Sequence, residues 1–312
     1  MKRICVIGSF NIDIMTAVER FPSVGETITV DRFDLQVGGG KGANQAVALG
    51  RMGADVMMVG KLGDRFYGPE YLAVLERNGV SCEAVEVVPN AFPGAAFVAV
   101  DGNRDNVLYI YPGTNALVDP AWVDRNWASI GACGVFLMQL EIPMETNLHL
   151  LSRLEGRTRT LMLDPAPAKP LPEALLTGVD FLTPNEVELG MLAGMPVETE
   201  DEFRTACGIL LDRGARAIIA KAGRRGAFIA TPGSFDRVPG FRVDAVDPTA
   251  AGDTFNAGFA LALSEGRSVR DSVRFANAAA ALSTTAFGAQ GAMPDRMQVE
   301  ALLAAQPETA LS

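Results

Sequence analysis

The chain has 312 residues, 48% of them hydrophobic, and its 37 Asp and Glu outnumber 27 Lys and Arg to give a net charge of −10. That composition is ordinary for a soluble globular enzyme, and without a Lys/Arg cluster it excludes a nucleic-acid partner. The opening MKRICVIGSFNID has too short an apolar run for a signal peptide or a membrane span, and no later run qualifies.

In chain order, the apolar runs ICVIG, DVMMVG, GVFLMQL, TLMLD, VDFLT and AIIAK fit buried parallel strands. Between many of them lie the helical patterns KGANQAVALGRMG, PEYLAVLERNG, DEFRTACGILLDRG and DTFNAGFALALSEG, three of them closing with Gly shortly after the last apolar residue. This alternation implies an α/β fold: a doubly wound, mostly parallel sheet flanked by helices, with a helical C-terminal third. Residues 12–36 and 94–111 break the pattern and read as antiparallel strands, the second pair around a DGN turn. One domain over 1–312 with a discontinuous β lid over the ligand crevice is expected. Cys5, Cys82, Cys133 and Cys207 are scattered with no CxxC pair, so free thiols and a cytoplasmic protein are expected. The single histidine, His149, sits in a helical pattern away from every motif and reads as surface or packing.

Four stretches carry chemistry. In GSFNID, Asn11 and Asp13 lie two apart and share one side of an extended segment, an arrangement suited to a polyol; an Asx turn is the competing reading. In GGGKGANQA, residues 38–46, glycines precede a helix and let backbone N–H groups approach a ligand, or simply form a capping turn. A Walker A loop is excluded because Gly42 follows Lys41, and a dinucleotide fingerprint because GSFNID occupies the turn after the first strand. In TPNEVELGML, Thr183 as N-cap with Glu186 closing a capping box leaves Asn185 and Glu188 free on one face. That pair could hold the water shell of Mg²⁺ on a nucleotide phosphate, or be solvated surface.

The fourth stretch is DPTAAGDTFNAG. Small residues Ala250, Ala251 and Gly252 precede a helix whose buried stripe is Phe255, Phe259 and Leu263. An anion could approach that N-terminus, with Asp253 placed to accept a proton from an attacking hydroxyl; a plain N-cap is the alternative. A carboxylate is a weak base, but phosphoryl transfer relies chiefly on positioning and charge neutralisation.

Together VIGSFNIDI, GGKGANQAVALGRMGA, LMQLE, LDPAPA, TPNEVE and VPGFRVDAVDPTAAGDTFNAG make the chain resemble the ribokinase-like carbohydrate kinases over nearly its whole length. The resemblance implies ATP-dependent phosphorylation of a pentose such as D-ribose at its primary hydroxyl, with Mg²⁺ and activation by a monovalent cation, K⁺. It makes Asp253 the base and Ala250, Ala251 and Gly252 the anion hole. Sugar contacts carry over to Asn11, Asp13, Gly39, Gly40, Lys41, Gly42, Ala43, Asn44 and Glu141. Nucleotide contacts carry over to Asn185, Glu188, Lys221, Ala222, Gly223, Arg224, Arg225, Gly226 and Asn277, with Asn185 and Glu188 reaching Mg²⁺ through water. Asp247, Thr249, Ser283, Ala286, Gly288 and Ala292 match the loops around K⁺, which makes Asp247 a cation ligand. A homodimer through the lid is also implied.

Within the resemblance, Lys221 replaces a usual threonine, and Arg224 and Ala292 replace usual serines. Tyr109 and Tyr111 stand where smaller lid residues are expected to close over the sugar, which bears on the preferred substrate. Kinases of fructose, deoxyribose or a nucleoside remain alternatives. A silent sugar-binding protein is a third, against which the retained Gly252 and Asp253 speak.

Overall fold

Runs of four to eight apolar residues become strands wherever both faces can be covered. The computed structural model describes residues 2–103, 105–156 and 158–307. The chain begins β1 (Ile4–Ile7), β2 (Asn11–Ala17), β3 (Arg32–Gly39), α1 (Lys41–Arg51), β4 (Val56–Gly63), α2 (Gly68–Arg77) and β5 (Val80–Val88). Next come β6 (Gly94–Val100), β7 (Asn106–Tyr111), α3 (Pro120–Arg125), α4 (Trp127–Ile130), β8 (Val135–Met138), α5 (Met144–Leu154) and β9 (Thr160–Leu163). After α6 (Glu173–Gly178) and β10 (Phe181–Leu182) follow α7 (Glu186–Ala193), α8 (Glu200–Asp212), β11 (Ile218–Lys221), β12 (Ala227–Thr231) and β13 (Ser234–Val238). Helices α9 (Ala251–Ser264), α10 (Val269–Ser283) and α11 (Arg296–Ala305) follow.

The large sheet has the order β13-β12-β11-β10-β9-β8-β1-β4-β5, parallel from β5 to β11 and ending in the antiparallel hairpin β12–β13. Successive strand residues face opposite sides. Ile4 and Val6 join one buried cluster with α1, α9 and α10, whereas Cys5 and Ile7 join a second with α5 and α8. β5, β12 and β13 fall outside the apolar runs because these strands at or next to the sheet's ends mix buried positions with partly or fully exposed ones. The order reverses around β1, whose neighbours are β4 and β8. Ligands of open α/β sheets bind outside the strand C-termini at such a point.

The smaller sheet, β3-β2-β6-β7, joins two antiparallel hairpins through a parallel β2–β6 pair. Its register decides which face meets the crevice. Asp13 lies beside Gln36 and Ala96, and Ala96 beside Ile110; Ile14 lies beside Phe97, and Phe97 beside Tyr109. Tyr109 and Tyr111 therefore lie on the face opposite Asp13. The expectation that they close over the sugar is corrected: Leu108 and Ile110 share the Asp13 face, while the tyrosines are 69% and 51% exposed. Alternation along β7 was legible in the sequence, but the pairing that orients it was not.

Candidate active site

Helix α9 begins at Ala251 after Ala250, which is left-handed at φ 59° and caps the helix with no side-chain hydrogen bond. The Ala251 N–H donates to the Pro248 carbonyl at 3.1 Å, so Ala251 is not a free member of the expected anion hole. The N–H groups of Gly252 and Asp253 have no partner among the described hydrogen bonds and belong to the unpaired first turn, where the helix dipole favours an anion. Asp253 is the third residue of the helix, within its first turn, and 6% exposed, and Ala250 holds the cap position, which removes the N-cap alternative.

Two neighbouring residues of α1 hold that carboxylate. Asn44 Nδ2 donates to Asp253 Oδ2 at 3.1 Å, and Gln45 Nε2 donates to Asp253 Oδ1 at 3.2 Å. Gln45 Nε2 also donates to Asp164 Oδ2 at 3.1 Å, and Asp164 Oδ1 accepts from Lys221 Nζ at 3.0 Å. Gln139 donates to Gln45 Oε1 at 2.7 Å, and Gln290 to Asn44 Oδ1 at 3.2 Å, so both amides are oriented from behind. Burial pushes the Asp253 carboxyl up to about 6, against the Lys41 ammonium and the two amides and helped by Asp164. Burial works to lower the Lys41 ammonium, but Asp253, Asp164, Glu141 and Glu188 together hold it above its usual range.

On the β1 side, Glu141 Oε2 accepts from the Ser9 hydroxyl and from the Lys41 N–H at 2.9 Å, capping α1 with a carboxylate. Gly40, the N-cap at φ 83°, needs its freedom there. At Gly39 a Cβ would stand 2.4 Å from the Asp13 carboxylate, so the glycine run also serves close packing. Asn11 accepts from Asn115 Nδ2 at 2.9 Å and is buried beside it. Burial, with Glu141 and Asp253 adding like charge, raises the Asp13 carboxyl to about 7. Asn11, Asp13, Glu141 and the Gly39–Asn44 segment, with Ala43 buried in α1, thus gather around the end of β1.

A cavity of about 680 Å³ opens beyond Gly252. Lys221, Gly223, Arg224 and Asn277 line it with Phe241 and Val243, an apolar wall suited to a flat ring. Ala222, Arg225 and Gly226 do not line it. Arg225 reaches the Glu198 carbonyl instead, while a Cβ at Gly226 would stand 2.1 Å from the Val238 carbonyl oxygen. Asn277 Nδ2 holds the Val238 and Pro239 carbonyls, each at 3.1 Å.

The cap expected at Thr183 is corrected. Thr183 N–H pairs with the Leu163 carbonyl at 2.9 Å, continuing the strand ladder, so α7 starts later. Asn185 is its N-cap and Glu188, not Glu186, closes the capping box. One Glu188 oxygen caps the Asn185 N–H at 2.8 Å; the other accepts no hydrogen bond among the described residues. Burial raises the Glu188 carboxyl, with Lys221 opposing.

The loops around residues 247 and 288 also meet. Asp247 accepts from the Thr249 N–H and hydroxyl at 2.9 and 2.6 Å, and from the Gly288 N–H at 2.9 Å. Burial works to raise the Asp247 carboxyl, but these donors hold it below its ordinary value. The Ser283 hydroxyl donates to Ala280 within α10, and Ala292 has no side-chain oxygen, so these positions offer only backbone carbonyls. His149 pairs with Asp124 at 2.9 Å on the surface, far in the fold from these groups. The four cysteines are free thiols.

Sequence reasoning passed over Gln45, Asp164, Ser9 and Gln290. The signals were there for two. Gln45 is a fully buried amide in an otherwise apolar helix face, and Asp164 directly follows the buried parallel strand β9, where site residues collect.

Set beside known proteins, residues 1–296 match the model of the pfkB family carbohydrate kinases. The chain belongs to that family. It is 39% identical over 303 residues to the ribokinase of Bacillus subtilis (strain 168), covering 97% of this chain and all of that one. The deoxyribokinase of Salmonella typhi is 36% identical over 93% of this chain and 95% of its own. The structure of Arabidopsis thaliana ribokinase complexed with ribose and ATP superposes with a TM-score of 0.90 at 33% identity, covering 97% of this chain and 98% of that one.

Proposed function

We propose that this kinase transfers the γ-phosphoryl group of ATP to the 5-hydroxyl of D-ribose. The observation that carries the reading is the buried Asp253 carboxylate beside unpaired helix N–H groups, with the Asp13 and Glu141 carboxylates gathered on one side and a 680 Å³ cavity on the other. The bound ribose and ATP of the Arabidopsis relative support it. Asn11, Asp13, Glu141 and the Gly39–Asn44 segment hold the sugar. Asp253 takes the hydroxyl proton as that oxygen bonds to the γ-phosphorus and the bond to ADP breaks. The Gly252 and Asp253 N–H groups, with the small residues Ala250 and Ala251, cradle the transferring group. The cavity beyond takes the nucleotide.

The residues present fit both expected cations. The second Glu188 oxygen is left to accept from the water shell of a hydrated cation, and Asn185 fixes its neighbour. Mg²⁺ held there supplies charge to the phosphate oxygens. Asp247, which the Gly288 N–H ties to the facing loop, would hold K⁺ with backbone carbonyls of Thr249, Ser283, Ala286, Gly288 and Ala292, oxygen donors of the kind that ion takes. The enzyme works in the cytoplasm, in keeping with its free thiols.

A homodimer through the outer lid face is part of this reading, because Phe33, Phe97, Tyr109 and Tyr111 form an exposed apolar surface there. Sedimentation should give twice the chain mass, and a Phe97→Glu/Tyr109→Glu variant a single mass; a monomeric parent chain removes this part.

Deoxyribose is the second reading, favoured by the Salmonella relative. Coupled ADP release over ribose, deoxyribose, fructose and nucleosides, with and without K⁺, separates them. Ribose should give the highest kcat/KM, and ribose turnover no better than the others overturns the assignment.

A further inference from the structure

We infer that Lys221 is a catalytic residue that binds the terminal phosphoryl oxygens of ATP, with Asp164 as its positioning residue. The inference rests on the kinase reading and adds to it a full positive charge supplied by this chain.

Lys221 ends β11, where its N–H is fixed by the Pro184 carbonyl at 2.8 Å. Its ammonium stands at the N-terminus of α9, 3.5 Å from the place a Cβ on Gly252 would occupy, and the residue lines the nucleotide cavity. Only 11% of the side chain is exposed, and Asp164, at 3% exposure, pairs with it at 3.0 Å. An ammonium carries three donors, and one is taken by Asp164. Among the described residues no second acceptor engages the other two.

The buried Asp164 and Glu188 carboxylates attract the ammonium, but they do not account for its place at the helix N-terminus. A cation at the positive end of a helix dipole is repelled, and a buried ion pair is commonly no better than apolar side chains of the same volume. An anion between the ammonium and the helix N-terminus removes the conflict, because both then attract it. Lysine suits that duty as a compact point charge for phosphate. Gln45 donates to both Asp164 and Asp253, so the base and the phosphate-binding cation share one hydrogen-bonded frame. As the sugar oxygen attacks, charge grows on the γ-phosphoryl and leaving oxygens on the side away from Asp253, and Lys221 offsets it there.

The test compares the full-length parent chain with Lys221→Met and with Lys221→Met/Asp164→Asn, the second leaving no unpaired buried charge. Melting temperature, steady-state kinetics in both substrates, and equilibrium binding of ATP and of adenosine are read. Lys221→Met should lower kcat/KM for ATP on the order of 100-fold while the sugar KM stays within about threefold. The preference for ATP over adenosine should fall in both variants, and the double variant should regain melting temperature without regaining turnover. Turnover restored in the double variant, or an unchanged preference for ATP over adenosine, overturns the inference. A parent chain that phosphorylates no sugar instead overturns the kinase reading, and the ATP-against-adenosine comparison still decides whether Lys221 binds phosphate.

Discussion

The two halves of the cleft are built differently. On the side proposed for the sugar, half-buried Asp13 and Glu141 stand near buried Asp253 and Asp164, and Glu141, Asp253 and Asp164 each accept a hydrogen bond from α1. On the side proposed for the nucleotide the walls are backbone, apolar side chains and four cations, Lys221, Arg224, Arg237 and Arg242, around open space. The contrast matches what transfer requires. The acceptor and base must be held within tenths of an ångström before reaction, which justifies buried charge, whereas the nucleotide needs a shaped way in and out. The cost on the sugar side is visible as two carboxyls raised well above their ordinary range.

The sharpest way to break the comparison is at its boundary. Asp253→Asn keeps shape while removing the proposed base, so kcat should fall about 10²–10⁴-fold. Sugar affinity measured by calorimetry should change far less. Turnover close to that of the parent would take the base role away from Asp253.

A smaller effect concerns pH. Asp253 must be ionised to accept a proton, and its carboxyl sits at about 6 with Asp13 at about 7. The acid limb of kcat/KM for the sugar should therefore lie between pH 6 and 7. A limb near the ordinary carboxylate value would mean that neither group governs the step.

The smallest effect is on stability. Asp13 binds its proton more tightly folded than unfolded, so its stabilising contribution is complete below its ordinary value of 3.8 and is lost as pH rises through 7. Asp13→Asn removes that charge and should stabilise the free protein at pH 8 by about 2–4 kcal/mol while weakening sugar binding. Calorimetric scans at pH 5 and 8 check this: the parent should lose melting temperature over that interval and the variant much less. Equal losses would show that Asp13 is not strained by its burial. On the nucleotide side no comparable pH dependence is expected from Asp247, whose carboxyl is held low by its donors.

Some of this was legible residue by residue. The apolar runs of β1, β4, β8, β9 and β11 specified a parallel sheet, and GGGKGANQA, TPNEVE and AAGD marked three of the places where the cleft forms. Strands β5, β12 and β13 were less legible, because half-buried edges look like loops. Position within a motif was less legible still. TPNE fits a capping box at Thr183, and only the ladder bond from Thr183 to Leu163 moves the helix start to Asn185. Likewise AAGD points to a helix start open to an anion, but the Pro248 carbonyl decides which N–H groups remain free.

The sequence by itself determined the element types and the chemistry present, because strand and helix periods and Gly-rich turns act over a few residues. Only the tertiary structure decided which groups meet. Gln45 reaches Asp253 across 208 residues and Gln290 reaches Asn44 across 246, and the lid register turns Tyr109 outward. Such pairings depend on how the whole sheet stacks and aligns its strands, and no local pattern encodes the separation or orientation of side chains so distant in the chain.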